Sequence, residues 1–202
     1  LGHYGESRNT LISRSSSAVL ELVAAQQFDL GLADFREGAE HESSLLNQTV
    51  YSFECVCAVP GKGDLSGKAA ISPGDLSGKP FGMLYAEHPT HQSTVAAFAE
   101  HRSELNCRFM TQYFIPLLTY VRQGVANAIV DPLTVEAYRL LFGDNDDVLF
   151  KRFEPAVRFS VAVVTPAHRP ASLLAQSFQK YLHEELLRMG GKVIDSGSTS
   201  RE

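Results

Sequence analysis

Long hydrophobic runs are missing from this 202-residue chain. None approaches the ~18 apolar residues that a membrane-spanning helix requires, so no span is expected. A basic surplus is missing too: 18 Lys and Arg stand against 23 Asp and Glu, a net charge of −5. Such a chain is not an autonomous electrostatic binder of nucleic acid, which needs a positive surface. Cysteine is scarce. Three residues are an odd number and too few for a disulfide framework. Cys55 and Cys57 sit two apart in an apolar run and Cys107 stands alone, which reads as reduced, buried thiols in a cytoplasmic protein. The opening LGHYGESRNT has neither a basic stretch nor an apolar core, so no secretory signal is expected. Catalytic signatures are also wanting: there is no G-x-S-x-G elbow, no Walker loop, no G-x-G-x-x-G and no H-E-x-x-H. No enzyme activity, cofactor or metal is expected.

What is present suits a folded α/β protein. Hydrophobic residues make up 44% of the chain and aromatics 9%, enough to bury a core and to exclude disorder for the bulk. The length fits one large domain or two small ones. Apolar and β-branched runs predict strands at Thr10–Ser13, Phe28–Ala33, Thr49–Pro60, Phe81–Leu84, Cys107–Thr111, Ala126–Val130, Val148–Phe153 and Phe159–Thr165. Between them, helical spacing predicts helices from the Ser15 cap to about Gln26, over Pro89–Glu100 with Val95 and Phe98 buried, and over Phe114–Gln123. Asp131-Pro132 opens another with a capping carboxylate and proline at its first position, and the last runs over about Ala171–Met189 to Gly190-Gly191. DLSGK occurs twice, at Asp64–Lys68 and Asp75–Lys79, and reads as two similar turns. The tail DSGSTSRE has no core-forming pattern. Strand–helix alternation implies parallel sheets covered by helices, and the chain can pass between two lobes near Val59–Asp64 and Phe153–Ser160.

Several clusters have bland readings. Glu87, His88 and His91 (EHPTH) resemble metal ligands, but Pro89 intervenes and no second ligand cluster accompanies them, so structural or solvated histidines are expected. Asp144, Asp146 and Asp147 lack the glycine and distal Glu of a calcium loop and read as a solvated turn. Three places carry more chemistry. Ser15, Ser16 and Ser17 begin a helix where free N–H groups and the positive dipole end favour an anion such as a carboxylate, or else simply cap the helix. The segment Tyr85–Gln92 lies at a strand end, where open α/β sheets bind ligands, and Thr90, His91 and Gln92 are its candidate hydrogen-bond donors. Asp131 follows directly on a strand. It is either a helix cap alone or a cleft carboxylate for a ligand cation.

In their order, three runs carry a family resemblance. SSSAVLELVAAQQFDLGLAD resembles the helix, short loop and D-x-G-[ILF] segment of the effector-binding domain of LysR-type transcriptional regulators. AVPGKGDLSGKAAISPGDLSGKPF is similar to that family's crossover and DL-x-G-x-P turn, and LLTYVRQGVANAIVDP to its helix–turn–strand. The resemblance reaches to about Met189. It implies two Rossmann-like lobes in a periplasmic-binding-protein-like (type II) α/β fold, with a central ligand cleft. Lobe I is then expected at 1–59 and 157–202, lobe II at 60–156. By position, Ser16 falls where the family often has an effector-contacting Ser or Thr, and Thr90 and His91 at the start of a lobe II helix. Asp131 falls where many members carry Pro or a hydrophobic residue; the V-D-P variant is associated with members responding to amino acids or opines (octopine or nopaline catabolism regulators). The family's winged helix-turn-helix is not in this sequence, so DNA binding is expected only through that domain. Nor is the strand and helix that the family places before the Ser15 helix. A homodimer of this domain within a homotetramer is the expected assembly, and a small effector the expected partner. A transporter's solute-binding protein, with the same fold, is the alternative function.

Overall fold

The computed structural model describes residues 9–35 and 43–194. Ser15 takes the N–H of Ala18 on its hydroxyl and starts α1 (Ser16–Ala24). This helix sets Val19 and Val23 against β1 (Gly31–Asp34), so closely that a Cβ on Gly31 would lie 2.5 Å from a Val19 methyl. Thr10–Ser13, expected as a strand, is not one. It pairs with no neighbour in either sheet, and an extended segment without a ladder has nothing to hold it; Leu11 is 98% exposed.

The apolar run expected as one strand is two: β2 (Leu46–Glu54) and β3 (Val56–Pro60), parted at Cys55. Cys55 gives its N–H to the Val157 carbonyl at 2.8 Å, and there the chain leaves one sheet for the other. Before it, β2 pairs antiparallel along its whole length with β9 (Arg158–Pro166). After it, β3 pairs antiparallel with β7 (Asn127–Val130) and β8 (Val148–Phe153). The chain returns to the first sheet across residues 154–157. The other edge of β2 is taken by β10 (Lys192–Ile194), too short a strand to leave a periodic signal. The first sheet therefore runs β1-β9-β2-β10 and is antiparallel throughout, contrary to the parallel expectation. Parallel pairing is confined to the second sheet, where β5 (Pro80–Leu84) lies between β6 (Asn106–Thr111) and β7, and the short β4 (Ala70–Ile71) lies on β8. The helical crossovers that parallel neighbours require are α3 (Pro89–Glu100) between β5 and β6, and α4 (Phe114–Arg122) between β6 and β7.

On α3, Thr94, Ala97 and Phe98 face inward, which turns Val95 outward at 41% exposure, against expectation. Cys107 is exposed on β6, unlike the buried Cys55 and Cys57. The first DLSGK copy precedes a single-turn helix, α2 (Pro73–Leu76), in which the second copy begins, and the two exchange partners. Lys68 of the first binds Asp75 of the second, and Lys79 of the second binds Asp64 of the first. The acidic turn is engaged as well: Asp147 pairs with Arg122 and Asp144 with Arg139. The remaining helices are α5 (Pro132–Phe142) and α6 (Leu173–Arg188), the latter ended by Gly190 at φ +88°.

The largest core cluster crosses from sheet to sheet, joining Phe53 and Val161 of the first to Cys57, Phe81 and Ile129 of the second. Leu186 of α6 belongs to it and is fully buried. Two residues on, Arg188 reaches Glu136 of α5 at 3.1 Å. Truncating Leu186 removes packing at this junction. Leu186→Ala should lower the unfolding free energy in urea by about 2–5 kcal/mol. Leu173→Ala, at the exposed start of the same helix, should change it by less than about 0.5 kcal/mol. Equal effects would mean that the junction is not a packed core.

Candidate functional site

Between the sheets lies a cleft of about 1000 Å³. Helix beginnings line it: Ser15–Ser17 at α1, His88 at α3, Tyr113 and Phe114 at α4, and Asp131 at α5. Each of those positions follows from a local rule. A helix leaves its first N–H groups unpaired, and a side chain at the N-cap satisfies them.

Asp131 caps its helix and also stands on the cleft wall. Its Oδ1 accepts the N–H of Thr134 at 2.9 Å and its Oδ2 the Thr134 hydroxyl at 2.6 Å, so it caps α5. It also lines the cleft, at 2% exposure. Burial raises its carboxyl above the usual carboxylate range, while the two Thr134 bonds pull the other way. Among the described residues it has no ion pair with Lys or Arg.

At α1, the Ser15 hydroxyl sits 3.2 Å from that of Ser17. The Ser16 hydroxyl accepts the N–H of Asp34 at 3.0 Å and ties the helix start to the end of β1. Tyr85 lines the cleft at the end of β5, its ring edge-on to His88. Thr90, His91 and Gln92 do not line it. Thr90 is buried with its N–H on the His88 ring; His91 bonds through Nδ1 to the Leu84 carbonyl, and Gln92 reaches the Ala86 carbonyl. The His91 and Gln92 side chains and the Thr90 N–H fasten the strand-to-helix turn.

Two residues of the site escaped sequence reasoning. His88, read there as structural or solvated, is 6% exposed and lines the cleft. Its Nδ1 accepts the N–H of Thr90 at 3.2 Å, which caps α3. Nε2 lies 3.9 Å from Asp34 Oδ2 on the opposite sheet. The ring stacks on Phe159 of β9 (centroids 6.0 Å, interplanar 14°) and stands edge-on to Phe114 at 5.5 Å. The signal was there: proline at a first helical position marks the residue before it as the cap. Asp34, the last residue of β1, was read only as the end of a strand. Among the described residues no three His, Cys, Asp or Glu gather to hold a metal, and no helix is long and apolar enough to cross a membrane. Burial pushes the Cys55 and Cys57 thiols up, away from the reactive thiolate.

A cleft between two α/β sheets, lined by helix N-termini, is the frame of a small-molecule receptor, and comparison with known proteins names it. The LysR substrate binding domain family matches residues 2–187. The chain belongs to this family. It is 27% identical over 190 residues to the transcriptional activator protein LysR of Escherichia coli, covering 94% of this chain and 58% of that protein. To the regulatory protein NocR of Agrobacterium tumefaciens it is 29% identical over 171 residues, covering 85% and 54%. The chain thus spans a little over half the length of these relatives. Among solved structures, the regulatory domain of Synechocystis CcmR in complex with 2-PG superposes with a TM-score of 0.67 at 16% identity, covering 91% of this chain and 86% of that one. The fold is the periplasmic-binding-protein-like type II α/β fold, and the chain is a LysR-type effector-binding domain.

The raised carboxyl of Asp131 has a measurable consequence. The folded state holds that proton more tightly than the unfolded chain, whose carboxyl titrates near 3.9. Its contribution is therefore most favourable below about pH 4 and is lost as the pH rises through the folded value. Asparagine caps a helix as well as aspartate and carries no charge. In thermal melts, Asp131→Asn should match the parent at pH 4 and exceed it increasingly towards pH 7, by about 1.4 kcal/mol per unit of upward shift. A variant that falls below the parent at pH 7 would mean that the carboxylate has a cationic partner in the folded chain.

Proposed function

We propose that this LysR-type domain senses a small amino-acid or opine-like effector in the interlobe cleft and so controls transcription within a longer regulator. Lobe I comprises residues 1–59 and 157–202, lobe II residues 60–156. DNA is contacted only through a separate N-terminal domain, and the protein works in the cytoplasm as a dimer of these domains within a tetramer. It catalyses no reaction. The observation that carries the reading is Asp131: a buried carboxylate on the wall of a cleft, without a cation among the described residues. A ligand ammonium or guanidinium would complete it. Facing it, the first turn of α1 offers N–H groups, the dipole's positive end and the Ser16 hydroxyl proton to a ligand carboxylate. Ser15, Ser17 and Tyr85 complete the proposed contacts, while Thr90, His91 and Gln92 hold the turn that presents them. The relatives named above are regulators, which supports sensing over solute transport.

Calorimetric titration with amino acids, their opine conjugates and aromatic acids tests this. Saturable binding of a zwitterionic or cationic member is expected, weakened at least tenfold by Asp131→Asn. Binding of aromatic or simple carboxylic acids alone would keep effector sensing and remove the amino-acid assignment. Unchanged affinity for a cation in Asp131→Asn would remove the charge pair.

A further inference from the structure

Among the described residues the charges around the cleft do not balance. Three carboxylates line it, Glu21, Asp34 and Asp131, against one guanidinium, that of Arg14. His88 adds no guanidinium or ammonium to this wall: its Nδ1 accepts the Thr90 N–H and its Nε2 lies 3.9 Å from Asp34 Oδ2. The Asp34 side chain is 39% exposed and makes no pair with Lys or Arg among the described residues.

Position gives the two aspartates different tasks. Asp34 lies beside the start of α1, held there by the 3.0 Å bond from its own N–H to the Ser16 hydroxyl. An anion site and a carboxylate thus sit side by side, which is what the adjacent carboxylate and ammonium of an α-amino acid require. Asp131 stands on the other sheet, rigid at the head of α5 and almost wholly desolvated. The same cleft is lined by the mutually packed rings of His88, Phe114 and Phe159, a wall suited to methylene groups. Building on the amino-acid reading above, we propose that the effector is a basic α-amino acid with a second cation at the far end of its side chain. Asp34 receives its α-ammonium. Asp131 receives the distal ammonium or guanidinium and selects for it.

The test is titration of the 202-residue chain with matched probes. L-lysine, L-ornithine and L-arginine carry both cations; L-norleucine and L-citrulline keep the headgroup and shape but lose the distal charge. At least one of the first three should bind ten times or more tightly than its uncharged counterpart, and Asp131→Asn should erase that ratio. Asp34→Asn should weaken charged and uncharged probes alike, by tenfold or more, and Asp34→Glu should restore most of the loss. Melting curves of each variant confirm that it is folded. Equal binding of L-arginine and L-citrulline, or of L-lysine and L-norleucine, would overturn the role of Asp131. Unchanged binding in Asp34→Asn would overturn the headgroup site. If the two neutral amino acids bind and the basic ones do not, this inference falls while the amino-acid sensor stands. If only simple carboxylic acids bind, both amino-acid assignments fall together.

Discussion

Four helices begin at one cleft, and the N–H groups of their first turns must all be satisfied there. That demand shapes the site more than any other interaction. Ser15, His88 and Asp131 each accept a backbone N–H, and the same position puts each on the cleft wall. Tyr113, at the head of α4, makes no such side-chain bond. The polar chemistry of the cleft is thus a by-product of ending strands and starting helices at one place. The same geometry explains why ligands bind outside the carboxyl ends of strands in open α/β sheets.

The second constraint is the crossing at Cys55. A strand that changes sheets must keep its backbone groups paired through the change, and the bond from Cys55 to Val157 does so by coupling the outgoing and returning segments. Small buried side chains at that point, Cys55 and Cys57, let the sheets approach. The core then runs unbroken from one sheet to the other, with Leu186 of α6 within it. The two sheets are joined through packed side chains and two crossings of backbone, and their helices α6 and α5 through the Arg188–Glu136 pair.

Much of this was legible in the sequence, and the exceptions have physical causes. α3 and the start of α5 were readable to the residue because Pro89 and Pro132 mark first turns. Ser15 and Asp131 were readable as caps, and their place on the cleft wall followed from where caps sit in such folds. Strand direction was not readable, since alternation says nothing of a chain that returns to an earlier sheet, as β9 does beside β1 and β2. The break at Cys55 left no mark in an unbroken apolar run. His88 and Asp34 belong to opposite sheets and meet only in three dimensions, so no spacing along the chain brings them together. The turn residues Thr90, His91 and Gln92 have the right chemistry at the right place, but the His91 and Gln92 side chains bond backward into the turn and Thr90 is buried away from the cleft.

Why aspartate stands at position 131 is the remaining question, and capping does not answer it. Asparagine serves an N-cap equally well, and its amide could also bond the Thr134 hydroxyl. A carboxylate in this place costs desolvation that two bonds to one threonine do not offset, as the upward displacement of its titration shows. A group kept charged against its surroundings, on the wall of a cavity, is stable only in company. Among the described residues no Lys or Arg pairs with Asp131, although Arg14 lines the same cleft. On the amino-acid reading proposed above, the positive charge arrives with the ligand. Its arrival would remove a penalty already present in the empty domain, so part of the binding free energy would be stored in the fold beforehand, at the head of a helix that also carries Glu136, the partner of Arg188 on α6.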